Sequence, residues 1–285
     1  MIAFVGSVFS PFYFDARRAG GGLADPGAHC AINVCLYGAG FGNWAMTEVA
    51  ASQVSRSERH FQVGRSSLSW EQDALVVRID EPRAPWPGRL VGEIRLIPRA
   101  LHRAPVALDA RGRHGWWGVA PHARATVRFS RPGLCFEGSA YHDSNWGIEP
   151  IEAGFQRWCW SRAEGPEGAV VLFDVLGRGE AEERPLAWRF RGDGAVEPVE
   201  VPARQRLGRT PLFQMPRITR TDAGARARVR RTVEDTPFYA RSWVDTTLLG
   251  APCTAVHESL DLDRFRSPIV QFMLPYRMRR ERGAS

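Results

Sequence analysis

Lysine is missing altogether. All 38 basic residues are arginine, set against 31 acidic ones for a net charge of +7. A positive balance can draw nucleic acid or anionic lipid. The arginines are spread along the chain, however. The denser runs, Arg226–Arg231 and Arg277–Arg282, carry no recognition-helix pattern and no zinc spacing. The distribution points away from nucleic acid, and all-arginine usage reads as the codon bias of a GC-rich genome. Paired cysteines are lacking too. The five, Cys30, Cys35, Cys135, Cys159 and Cys253, are odd in number and form no CxxC pair, as expected of reduced thiols in a cytoplasmic compartment. No apolar run reaches the ~18 residues of a spanning helix, and the N-terminus shows no basic n-region or cleavage-like segment.

Cofactor and nucleophile fingerprints are absent as well: no GxSxG elbow, no P-loop, no dinucleotide pattern, no HExxH. The seven histidines are scattered. Convergence of His114, His122 and His142 on a metal is the weaker reading, so neither metal nor cofactor is expected. Gly38-Ala-Gly-Phe-Gly42 is glycine-rich, but a strand-like segment follows it and it reads as a hairpin loop.

What the sequence has is aromatic side chains and short strands. Hydrophobic residues make up 44% of 285, enough for a real core. Long helices of period 3.6 are not evident. Residues 1–28 carry Phe4, Phe9, Phe12, Tyr13 and Phe14 before Gly20-Gly21-Gly22, an irregular wall or an arm packed on the core. Strand-like runs then follow at short intervals. Turn signals separate them at Glu71-Gln-Asp73, Arg131-Pro-Gly133, Glu164-Gly-Pro-Glu-Gly168, Arg191-Gly-Asp-Gly194 and Gly250-Ala-Pro252. Residues 200–225 are Pro- and Arg-rich and poorly patterned, and Arg226–Arg230 alternates like a solvated strand face. Roughly fourteen to eighteen strands exceed one eight-stranded barrel. The expectation is all-β: two antiparallel barrel- or sandwich-like domains, 1–150 and 151–285, with the pocket near their junction.

Chemistry concentrates in Tyr141-His-Asp-Ser-Asn-Trp-Gly147. On an extended chain Tyr141 and Asp143 share a side and His142 points to the other. Asp-Ser-Asn is also good turn chemistry, and Asn145-Trp146-Gly147 reads as a turn toward the second half. A carboxyl walled by aromatics has a raised pKa and can act as an acid. His114 and Trp116 in Arg113-His-Gly-Trp-Trp-Gly118 have the same two-residue spacing. If both segments are extended and meet, four side chains line one pocket. Tryptophan faces there would stabilise a cation. Trp117, Trp146, Trp158 and Trp160 are the further aromatics for substrate contact, Trp158 and Trp160 lying on one face and Phe155 out of phase with them.

Several stretches together resemble the carotenoid 1,2-hydratase (hydroxyneurosporene synthase) family. They are Phe4-Val-Gly-Ser-Val-Phe-Ser-Pro11, Asn33-Val-Cys-Leu-Tyr-Gly38, Trp44-Ala-Met-Thr-Glu48, Arg113-His-Gly-Trp-Trp117 and the Tyr141–Gly147 motif. Glu234-Asp-Thr-Pro-Phe-Tyr-Ala-Arg-Ser242 and Ala255-Val-His-Glu-Ser-Leu-Asp-Leu-Asp-Arg-Phe265 complete the set. The resemblance implies a lipocalin-like two-domain β fold and cofactor-free addition of water across the terminal C1–C2 double bond of an acyclic carotenoid. It maps the proton-donating aspartate onto Asp143, with Tyr141, His114 and Trp116 in support. His114 or the Asp143 carboxylate would take the proton of the added water. The expected partners are the polyene, water and a peripheral membrane contact through the aromatic N-terminus and arginine-rich tail, with no nucleic acid. The same superfamily implies one alternative, a polyene cyclase or isomerase that adds no water; a carrier that binds the polyene unchanged is a separate third reading.

Overall fold

The computed structural model describes residues 1–38, 42–165, 168–180 and 182–281. The centre of the Gly38–Gly42 loop, residues 166–167 of the Glu164–Gly168 turn and Arg282 of the tail lie outside the described residues.

The chain forms two compact units, and it enters and leaves each more than once. One unit comprises Met1–Ile97, Arg124–Ala140 and Gln271–Ser285; the other comprises Pro98–Ala123 and Tyr141–Val270. A single division at residue 150 therefore does not describe the chain. The long strands β10 (His114–Arg131) and β11 (Leu134–Gly147) contribute residues to both units.

The first unit contains β1 (Ile2–Phe4), β2 (Cys30–Cys35), β3 (Trp44–Val49), β4 (Val54–Arg56), β5 (His60–Val63), β6 (Ser66–Glu71), β7 (Ala74–Pro82) and β8 (Arg89–Pro98). Strands β4 to β8 form successive antiparallel pairs, and the sheet continues from β8 to β10 and β11. Gln72 takes a positive φ of 56° at the β6–β7 turn, where the sequence signals one. Residues 10–19 depart from expectation. Ser10 accepts from the backbone of Phe12 and Tyr13, and Pro11 occupies the first helical position, so helix α1 (Pro11–Ala19) forms in the segment anticipated as an irregular wall or a packed arm. The arginine-rich tail is not free. Strand β21 (Arg279–Glu281) runs parallel to β3, Arg280 reaches the buried Glu48 at 2.8 Å, and Arg277 lies 4.2 Å over the Trp44 ring.

The second unit contains β9 (Val106–Ala107), β12 (Phe155–Gly165), β13 (Gly168–Gly177), β14 (Arg184–Arg191), β15 (Val196–Pro198), β16 (Ala203–Leu207), β17 (Arg217–Thr221), β18 (Arg228–Asp235), β19 (Tyr239–Leu248) and β20 (Ala251–Asp261). Short helices α2 (Ile151–Gly154), α3 (Leu262–Phe265) and α4 (Pro268–Met273) punctuate it. A seven-stranded antiparallel sheet runs β15-β14-β13-β12-β20-β19-β18. A register shift between Phe155 and Arg157 brings the fully buried Phe155 onto the side of Trp158, their rings 5.5 Å apart, although the three-residue spacing alone would put the two out of phase. Pro- and Arg-rich residues 200–225 are ordered after all. Strands β16 and β17 pair as a hairpin, and Arg220 is buried in an ion pair with Asp174 at 2.5 Å. Arg228, Arg230 and Arg231 of β18 are exposed, as a solvated face requires.

Candidate active site

Strand pleating sets the site. Strands β10 and β11 are neighbours, and on each the side chains two apart share a face. Tyr141, Asp143 and Asn145 share one on β11. The strand continues to Gly147, so the expected turn at Asn145–Gly147 is not made; pairing with β10 holds this stretch extended.

Three donors end on one oxygen. The Trp116 indole N–H and the Tyr141 hydroxyl each donate to Asp143 Oδ2 at 2.8 Å, and the Asn145 amide reaches the same atom at 3.5 Å. Among the described residues no donor reaches Oδ1, so Oδ1 is the oxygen available to carry a proton. Burial lifts the Asp143 pKa above the usual carboxylate range. The three donors oppose that lift by stabilising the ionised form, and the charge of Glu258 adds to it. The Tyr141 phenol is pushed well above 10, by burial first and by the Asp143 charge second, so it stays a donor.

The walls are aromatic. Trp116 is fully buried, stacked on Trp188 at 5.4 Å and edge-on to Phe173 at 5.2 Å and Phe190 at 5.9 Å. The Tyr141 ring lies 5.3 Å from Trp160, and the Arg162 guanidinium sits 5.4 Å from the Tyr141 centroid. Arg162 is buried and anchored by the Pro121 carbonyl at 3.0 Å and Glu164 at 3.2 Å. Trp158 completes this wall beside Phe173 at 5.5 Å.

The other expected residues have different neighbours. His114 is buried against Phe155 at 4.7 Å with Nε2 3.5 Å from Glu149, and it makes no hydrogen bond to Asp143. A Cβ on Gly147 or Gly154 would collide with its ring, and burial lowers its pKa. Trp117 is on the opposite side of β10 from Trp116 and donates to the His102 carbonyl at 2.6 Å. Trp146 is 47% exposed, its ring lying over Gly115. His122 pairs with Glu164 at 2.8 Å, and burial pushes the His142 pKa down to about 4.

Sequence reasoning missed Asn145, Arg162, Phe173, Trp188, Phe190 and the Glu258–Arg241 ion pair. The pleat could have supplied some of them. Asn145 is as far from Asp143 as Tyr141 is, Arg162 is in phase with Trp158 and Trp160, and Trp188 with Phe190.

The arrangement is that of a buried carboxyl with a raised pKa in an aromatic setting. A family model described as carotenoid hydratase CrtC matches residues 1–285. The acyclic carotenoid 1,2-hydratase of Thiocapsa roseopersicina is 47% identical over 283 residues, 99% of this chain and 69% of that one. Its counterpart from Cereibacter sphaeroides is 35% identical over 286 residues, 100% of this chain and 99% of its own. Among solved structures, a candidate AttH from Nitrosomonas europaea superposes with a TM-score of 0.52 at 11% identity, covering 82% of this chain and 85% of that one. Kievitone hydratase from Nectria haematococca does so with 0.50 at 9% identity, over 82% and 84%. At such identities the likeness shows the fold alone, an antiparallel β architecture of lipocalin-like type. From the full-length match of the model and the identities of these relatives, the chain belongs to the carotenoid hydratase CrtC family.

Proposed function

We propose that the chain is a hydro-lyase that adds water across the terminal C1–C2 double bond of an acyclic carotenoid such as lycopene or neurosporene, giving a 1-hydroxy carotenoid by acid catalysis without a cofactor. The observation that carries this reading is the polarised carboxyl of Asp143: three donors on Oδ2, none on Oδ1, and a pKa raised by burial.

Asp143 Oδ1 delivers its proton to C2, and the π pair of the double bond forms the new C–H bond. The positive charge falls on C1, a tertiary centre. General-acid help of this kind is worth roughly 10²–10⁴-fold. Trp116, Tyr141 and Asn145 are already placed to stabilise the carboxylate left behind, at no cost of reorganisation. Ring faces of the Trp160 and Tyr141 wall stabilise the cation, each by up to ~2 kcal/mol when desolvated. Water then bonds to C1 and sheds a proton, leaving a neutral tertiary alcohol. In this proposal His114 shapes the wall with Phe155.

Peripheral membrane contact belongs to the same proposal, because an acyclic carotenoid dissolves in lipid. The site of action would be the cytoplasmic side of the inner or photosynthetic membrane. Phe272 and Met273 of α4 and Tyr276 just beyond it support this, being 70%, 41% and 69% exposed. None of the described helices is long and apolar enough to cross a membrane.

The test is incubation with detergent-dispersed lycopene or neurosporene in oxygen-labelled water, read by product mass. One labelled oxygen per hydrated end is expected. A new polyene without label would assign a cyclase or isomerase, and unchanged polyene in tight complex a carrier.

A further inference from the structure

Hydration needs a second proton transfer, and a second carboxyl faces the same wall. Glu258 lies on β20 directly opposite Trp160 of β12 and, on its other side, opposite Arg241 of β19. Side chains directly opposite in a sheet share a face. Glu258 and Arg241 therefore project from the face that carries Trp158, Trp160 and Arg162, on which Tyr141 packs. Arg241 holds Glu258 Oε1 at 2.5 Å, and both residues are half-buried. Among the described residues no donor reaches Oε2. The negative charge of Glu258 is also felt at Asp143.

A further observation points to a ligand here. Trp160 is buried, 9% exposed, yet its indole N–H has no hydrogen-bond partner among the described residues. A buried donor without a partner is costly unless something fills the place. A water that accepts from Trp160 Nε1 and donates to Glu258 Oε2 would satisfy both. The two carboxyls are thus held in opposite ways. Asp143 has one oxygen on neutral donors, and Glu258 has one oxygen on a guanidinium.

We propose that Glu258 is the general base of the hydration: Oε2 takes the proton of the attacking water, Trp160 Nε1 orients that water, and Arg241 holds the carboxylate in place. The proposal rests on the hydratase reading above. The Asp143 O–H bond breaks and the C2–H bond forms. A lone pair of water forms the C1–O bond, and one O–H proton moves to Oε2 while its electron pair stays on oxygen. Asp143 is left ionised and Glu258 protonated, and one proton passed from Glu258 to Asp143, directly or through solvent, restores the enzyme. Nothing is oxidised or reduced. Water bonded to a cation is strongly acidic, so a carboxylate can take its proton.

The experiment measures lycopene hydration by wild type, Glu258→Gln and Glu258→Ala, each checked for folding by circular dichroism, with and without added formate. Glu258→Gln should lower kcat about 100-fold with KM changed less than about threefold. Formate, a carboxylate small enough to occupy the vacated place, should restore Glu258→Ala by about tenfold or more; a residue that only pins strands would show no such rescue. A Glu258→Gln kcat within about threefold of wild type, or a folded Glu258→Ala that formate leaves unchanged, overturns the base assignment while the hydratase reading stands. Failure of wild type itself to hydrate overturns that reading and this assignment with it.

Discussion

The indole N–H of Trp116 donates to Oδ2 of Asp143 across 2.8 Å, joining neighbouring strands β10 and β11. The tryptophan that sequence reasoning places as a cation-stabilising face is thus also a donor to the acid. A hydrogen bond to a charged group is worth about 1.5–3 kcal/mol, roughly 10- to 100-fold in rate when the charge forms in the transition state. Trp116→Phe should therefore lower kcat by about that factor. Losing a donor that favours the ionised carboxyl raises its pKa further. Activity that needs the protonated acid is lost as pH rises through that pKa, so the alkaline limb of the rate profile should move to higher pH. A limb that moves down would contradict the assignment.

Asp143 also bears on stability. Its pKa is raised in the folded chain, mainly by burial. The stability this implies is complete below the unfolded pKa, and it is lost as pH rises through the folded one. The amide introduced by Asp143→Asn cannot ionise, so the margin by which this variant out-melts wild type should widen from pH 4 to pH 8. Thermal melts across that range check this, and a margin that narrows would contradict it.

Much of the site was legible, and what was hidden has physical causes. The two-residue spacing of Tyr141 and Asp143, and of His114 and Trp116, is a local property of strands and can be read directly. Which of those faces meet is a tertiary matter. Trp116 does meet Asp143, whereas His114 packs on Phe155 beside Glu149. Helix α1 was missed although Ser10-Pro11 is a cap signal, because its aromatic content outweighed two residues of capping chemistry. Arg217 and Arg220 were invisible for another reason. A strand that buries arginine against Asp174 and Ser242 has the composition of a solvated loop. Glu258 lies within the Ala255–Phe265 stretch that carries the family resemblance, but only the β12–β20 register sets it opposite Trp160.

Glu81 gives a second pH prediction, in the other unit. It is 3% exposed, accepts from Ser66 at 2.5 Å, and burial pushes its pKa up to about 7, with the charge of Glu281 adding to the rise. The associated stability is present below about 4.5 and lost as pH rises to about 7, amounting to about 3 kcal/mol at one pKa unit per 1.36 kcal/mol. Glu81→Gln should raise Tm at pH 8 by roughly 5 °C or more and change it little at pH 4.5. Equal shifts at both values would contradict the sign.

The Arg220–Asp174 pair should behave as a buried ion pair. Arg220 donates from Nε and Nη2 to Asp174 and from Nη1 to the Pro202 carbonyl. Arg220→Met leaves a buried carboxylate without its partner and should cost about 3–5 kcal/mol in denaturant unfolding. Exchanging both partners for apolar residues should cost much less. Equal losses in the single and double variants would contradict this view.

Proton donation from Asp143 to C2 is the step on which the mechanism turns. Its most direct test is the rate of hydration of detergent-dispersed lycopene by Asp143→Asn beside wild type, with folding confirmed for both. The variant keeps the shape and the Trp116 and Tyr141 contacts but has no carboxyl proton to give. Hydration should fall by at least about 10²-fold, whereas a rate near that of wild type would contradict the mechanism.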